Sequence, residues 1–66
     1  MIKLTNMKPN DWLKADTGFT CLSENAVRII KMDWKCELYI QCDHGRHYLN
    51  GQTDHEGNLV GLTKIT

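Results

Sequence analysis

Between Ile30 and Asp43 the chain alternates with a period of two. Ile30, Met32, Trp34, Cys36, Leu38, Ile40 and Cys42 are apolar. Lys31, Asp33, Lys35, Glu37, Tyr39, Gln41 and Asp43 are polar or, for Tyr39, amphipathic. Successive side chains of a strand point to opposite faces, so this pattern predicts β structure with one buried and one wet face. On a helix the same apolar residues would spread around the circumference. Ser23 could cap a helix over Ala26 to Lys31, but the alternation that follows outweighs it.

The segment is more than twice the usual strand length of about 5–6 residues. A turn near Asp33-Trp34-Lys35 is therefore expected. The phase is the same on both sides of it, and directly paired residues share a face, so the loop needs an odd number of residues. Three loop residues would pair Met32 with Cys36 and Ile30 with Leu38. The alternative is one long strand bent by a bulge. Upstream, Val27 and Ile29 lie in the opposite phase to Ile30, a slip that points to a bulge at Ile29-Ile30 or to burial on both faces.

Turn chemistry divides the rest of the chain. Pro9-Asn10-Asp11, Asp16-Thr17-Gly18, Ser23-Glu24-Asn25 and Asp43-His44-Gly45-Arg46 are turn signals, and Asn50-Gly51 is a favoured hairpin dipeptide. Between them lie expected strands at Ile2 to Leu4, Trp12 to Ala15, Phe19 to Leu22, Arg46 to Leu49 and Leu59 to Ile65, the last interrupted by Gly61. Gln52 to Asn58 reads as an exposed loop. Residues 1–66 thus form one small, mainly β domain of five to seven short strands. A small antiparallel barrel, SH3-like at this length, accommodates them.

At 66 residues a domain buries only roughly 60% of its unfolded surface. A large internal active-site cavity is excluded, and ligands are expected on the surface or between subunits. Lys+Arg and Asp+Glu are both 8, which weighs against a general nucleic-acid binder and favours self-association, so a homodimer is compatible. The N-terminal residues lack the apolar run of a signal peptide, and no stretch approaches transmembrane length. A cytoplasmic protein without a membrane association is expected. Cys21, Cys36 and Cys42 are an odd set, which reads as reduced thiols rather than a disulfide framework.

Several constellations bear on chemistry. Cys42, His44 and His47 have metal-ligand chemistry at a Cys-x-His-x-x-His spacing, but no Cys-x-x-Cys pair accompanies them. A zinc protein centred on them is the third choice, and no cofactor is expected. Cys42 with His44 or His47 has the parts of a thiol nucleophile, yet a cysteine in an apolar phase is generally inert. Asp11, Asp16, Asp33, Asp43, Asp54 and Glu56 sit at turns, where carboxylates bond the local backbone. No enzyme is expected. The aromatic and basic groups that remain, suited to anchoring a protein partner, are Tyr39, Arg46, His47 and Tyr48, with Trp34, whose phase points inside and whose turn position points outside. The expected function is a small non-catalytic binding module using these residues. A nucleic-acid binder using Lys31, Lys35, Tyr39, Arg46, His47 and Tyr48 is the alternative, opposed by Asp33, Glu37 and Asp43 on the same face.

Overall fold

The computed structural model describes residues 2–65. Six strands form two antiparallel three-stranded sheets: β1 (Trp12–Ala15), β2 (Val27–Ile29), β3 (Lys31–Met32), β4 (Leu38–Cys42), β5 (Gly45–Tyr48) and β6 (Leu62–Lys64). One sheet has the order β2-β1-β6 and the other β3-β4-β5. Helical structure among the described residues is confined to 3-10 turns at Leu4–Asn6 and Leu49–Gly51. The fold is therefore mainly β, as the alternation predicts. No hydrogen-bonded ladder among the described residues joins β5 to β6, so no closed barrel is formed by strand pairing.

The phase slip at Ile29-Ile30 is where the chain leaves one sheet for the other. Val27–Ile29 pairs with β1, and Lys31–Met32 pairs with β4. Ile30 itself is held at the corner: its N–H donates to Asp11 O at 2.8 Å, and its carbonyl accepts from Asn10 N–H at 2.8 Å. Its side chain is completely buried. One continuous segment thus feeds both sheets.

Several expectations are corrected. The expected strand at Ile2 to Leu4 is an isolated bridge from Lys3 to Asn58 followed by the 3-10 turn at Leu4–Asn6. The loop after β3 keeps three residues but lies one position later. Asp33 N–H donates to Glu37 O at 3.0 Å, and Met32 pairs with Leu38 rather than Cys36. Cys36 closes this turn at φ +64° and is exposed, not on the buried face. A turn followed by a left-handed residue is a standard three-residue hairpin loop. The stretch Phe19 to Leu22 is an irregular loop rather than a strand, although Phe19 and Leu22 reach the core. Asn50-Gly51 lies in a 3-10 turn rather than a hairpin.

Leu13, Ala15, Ile30, Ile40, Cys42 and Leu62 meet between the sheets, joined by Met7, Phe19, Leu22, Leu49 and Leu59 from loops and 3-10 turns. Gly61, at φ +79°, lets the last segment pass close over Phe19, where an added Cβ would lie 3.3 Å from the Phe19 Cβ. Some acidic turn residues bond the local backbone. Asp54 Oδ1 accepts from the N–H groups of Glu56 and Asn58, and Asp11 Oδ2 accepts from Lys8 N–H, each at 2.9 Å. Among the described residues no helix is long and apolar enough to cross a membrane.

Candidate functional site

The β4–β5 hairpin positions most of the expected site residues. Its turn has two residues, Asp43 and His44, between the paired Cys42 and Gly45. An even-numbered loop pairs residues of opposite parity. Tyr39 lies opposite Tyr48 and Gln41 opposite Arg46, on one face; Ile40 lies opposite His47 and Cys42 opposite Gly45, on the other. The expected set Trp34, Tyr39, Arg46, His47 and Tyr48 is consequently divided.

On the outer face the Arg46 guanidinium lies over the Tyr39 ring, 4.5 Å from its centroid, and Tyr48 packs against the same ring at 5.6 Å. These neighbours leave Tyr39 only 8% exposed. Tyr39 is thus not the open aromatic platform that its phase implied. Lys31, its partner across β3, remains exposed. Tyr48 is partly open and donates its hydroxyl to Asp33 Oδ2 at 2.9 Å.

That bond ties the outer face to the turn bearing Trp34. Asp33 Oδ1 accepts from the N–H groups of Lys35 at 2.8 Å and Glu37 at 2.9 Å. These backbone donors, Glu37 foremost, with the Tyr48 hydroxyl, hold the Asp33 carboxyl below its usual pKa. Trp34 projects from this organised turn and is 85% exposed, with Lys35 Nζ 4.9 Å from its ring centroid. Its even phase suggested an inside position; its place in the loop decides otherwise.

The inner face holds a cluster that spacing did not assemble. His47 is half-buried, not a solvated strand residue, and stacks edge-on against Phe19 with centroids 5.1 Å apart. Its Nδ1 lies 3.2 Å from Cys21 Sγ, and its Nε2 lies 2.8 Å from Gln52 Oε1. The ligand atoms of Cys21, Cys42 and His47 all lie within 4.8 Å of one another. Cys42 is diagonal to His47 on the ladder, and Gly45 across from it has no side chain to intervene. Cys42 is buried, and that burial, with Cys21 beside it, pushes its thiol pKa up to about 11. His44 stays in the exposed turn, so the Cys42, His44 and His47 grouping is corrected to Cys21, Cys42 and His47. The position of His47 was available from turn length, because a two-residue turn swaps parity. Nothing local pointed to Cys21, which arrives from an irregular loop.

Gln52 fixes the chemistry of the imidazole. Its Nε2 donates to the Val60 carbonyl at 2.7 Å, and its backbone carbonyl accepts from Val60 N–H at 2.9 Å. The Val60 carbonyl accepts only, so Gln52 Oε1 must face His47 and accept from its Nε2–H. In the neutral ring, Nδ1 then presents a lone pair to the thiols. The arrangement can hold a thiol hydrogen bond or a soft cation. Comparison with protein-family models, with curated proteins and with solved structures gives no match for this chain.

Proposed function

We propose that this protein is a small, non-catalytic, cytoplasmic binding module that recognises a protein partner through the Trp34 turn and the adjoining Arg46 and Tyr48. We also propose that its two sheets form an open SH3-like barrel. The segment shared between the sheets and the 3-10 turn ahead of the last strand support that architecture.

The observation that carries the functional reading is the exposure of Trp34 on an ordered turn. An indole left in water forgoes the burial that a thin core needs, and a fixed aromatic binds with little loss of conformational entropy. Asp33 supplies the order, through two backbone hydrogen bonds and one to Tyr48. Trp and Tyr, with Arg, are the residues that dominate protein interfaces. Nucleic-acid stacking is less well served, because Arg46 and Tyr48 cover the Tyr39 ring.

Immobilised wild type and Trp34→Ala are compared for capture from an extract of the source cell, at low and moderate salt. A protein retained by wild type at both salts and lost with Trp34→Ala, the two having equal thermal stability, is the expected result. Capture that is indifferent to Trp34→Ala overturns the proposal. So does retention of nucleic acid that disappears with added salt, the signature of counterion release.

A further inference from the structure

We infer that Cys21, Cys42 and His47 form a binding site for one thiophilic d10 metal ion, Zn2+ in the first instance, ligated by the two sulfurs and by His47 Nδ1. The site lies on the opposite sheet face from Tyr48, so it stands or falls separately from the partner surface.

The donor spacing suits such an ion. Zn–S of about 2.3 Å and Zn–N of about 2.05 Å in a tetrahedral shell put sulfur and nitrogen about 3.6 Å apart and two sulfurs about 3.8 Å apart. Cys21 Sγ and His47 Nδ1 are 3.2 Å apart, and all three donors lie within 4.8 Å. Widening the first distance by a few tenths of an ångström, and closing the widest pair by up to about 1 Å, brings the three donors to those separations. The donors come from the Phe19–Leu22 loop, β4 and β5, so an ion would join parts of the chain that only the fold brings together.

The surroundings match those of a metal-bound histidine. Such a ring commonly donates its second N–H to a carbonyl or carboxylate, which sets the tautomer and the ring plane. Gln52 does this here and is itself pinned to Val60. The charge also suits the place. One Zn2+, two thiolates and a neutral imidazole sum to zero beside a hydrophobic core. Binding breaks two S–H bonds, makes two Zn–S bonds and one Zn–N bond, and sends two protons to solvent without electron transfer. Cys21 is only partly buried, so solvent reaches the cluster, and water would complete the four-coordinate shell of an ion held by three protein ligands. Cys36, His44 and His55 are exposed elsewhere and take no part.

The test is a titration of the metal-free, reduced protein with Zn2+, and separately with Cu+, against a chromogenic chelator. Co2+ serves as a spectroscopic probe. Expected are one ion per chain, two protons released per Zn2+, a thiolate-to-cobalt charge-transfer band and a higher Tm on loading. Cys21→Ser, at a partly open loop position, should abolish the band, and Cys36→Ser should leave it unchanged. Gln52→Ala should weaken affinity by about 10–100-fold. Because Cys42→Ala removes a core group and can unfold the chain, its result is read only beside the other variants. Binding of Cu+ alone, with the same dependence on Cys21, keeps the site and assigns it to Cu+. Failure of both ions to compete with the chelator, or binding indifferent to Cys21→Ser, overturns the inference. The cluster is then a thiol–imidazole hydrogen bond and nothing more.

Discussion

The two faces of the β4–β5 hairpin use the same backbone and differ in where their partners come from. On the outer face Tyr39, Arg46 and Tyr48 contact one another as cross-strand and diagonal neighbours, and Tyr48 reaches Asp33 in the next turn. On the inner face Ile40, Cys42 and His47 meet Phe19, Cys21 and Gln52, which arrive from outside the hairpin. Exposed polar groups can exchange their contacts for water. Buried ones cannot, so each inner polar atom has a dedicated partner. The exposed outer residue Arg46 can therefore be altered at less structural cost than Tyr39 buried beneath it, whereas the inner face links the sheet to its loops.

The largest effect on this contrast is expected from Ile40→Ala. Ile40 is completely buried, and such truncations cost about 2–5 kcal/mol. A small domain has a total stability at the low end of about 5–15 kcal/mol, so urea denaturation should show a variant close to unfolding. A loss below about 1 kcal/mol would mean that the inner face is not the structural one.

Gly45→Ala ranks next. Gly45 has φ +117° with open space around it, so the cost is backbone strain and not a clash. A loss of about 1–3 kcal/mol is expected. An unchanged denaturation midpoint would show that the turn at Asp43-His44 relaxes freely and does not enforce the division of faces.

The acid limb of the stability curve probes the Asp33 turn. Its folded pKa is depressed by the Glu37 N–H and its other donors. Asp33 therefore contributes stability above the ordinary aspartate pKa, and this is lost as pH falls through the lower folded value. Asp54 behaves alike, chiefly through the Asn58 N–H. Asp33→Asn should lower Tm at neutral pH, where the carboxylate's contribution is fully present, and flatten part of the decline in Tm below about pH 4. A decline as steep as that of wild type would remove Asp33 as the organiser of the Trp34 turn.

The smallest effect on stability is expected from Trp34→Ala, within about 0.5 kcal/mol, because the indole is 85% exposed. A larger loss by thermal denaturation would mean that Trp34 packs on the domain in solution and is not free for a partner.

Much of the architecture was legible along the chain. The strand Trp12–Ala15, the two sides of the long alternating region and the turns at Pro9-Asn10 and Asp43-His44 follow from nearest-neighbour chemistry. Asn10 takes a positive φ of +77° in the first of these turns, and the phase slip at Ile29-Ile30 falls where the chain changes sheets. The site was less legible. Alternation put Tyr39 on the wet side, and it is on that side, but Arg46 and Tyr48 cover it. The same alternation placed Trp34 and Cys36 inside, where an organised loop instead holds both outside.

Period-two hydrophobicity and turn residues determined by themselves that this is a mainly β chain, with a phase slip at Ile29-Ile30 and tight turns at set places. These features depend on backbone preferences and on the side of a strand each residue occupies, which a few adjacent residues settle. Only the tertiary structure decided that Cys21 joins Cys42 and His47, that Gln52 sets the histidine tautomer, and that Tyr39 lies beneath Arg46. Those outcomes depend on which distant segment fills the space beside a strand, and that is chosen by packing of the whole core rather than by local pattern.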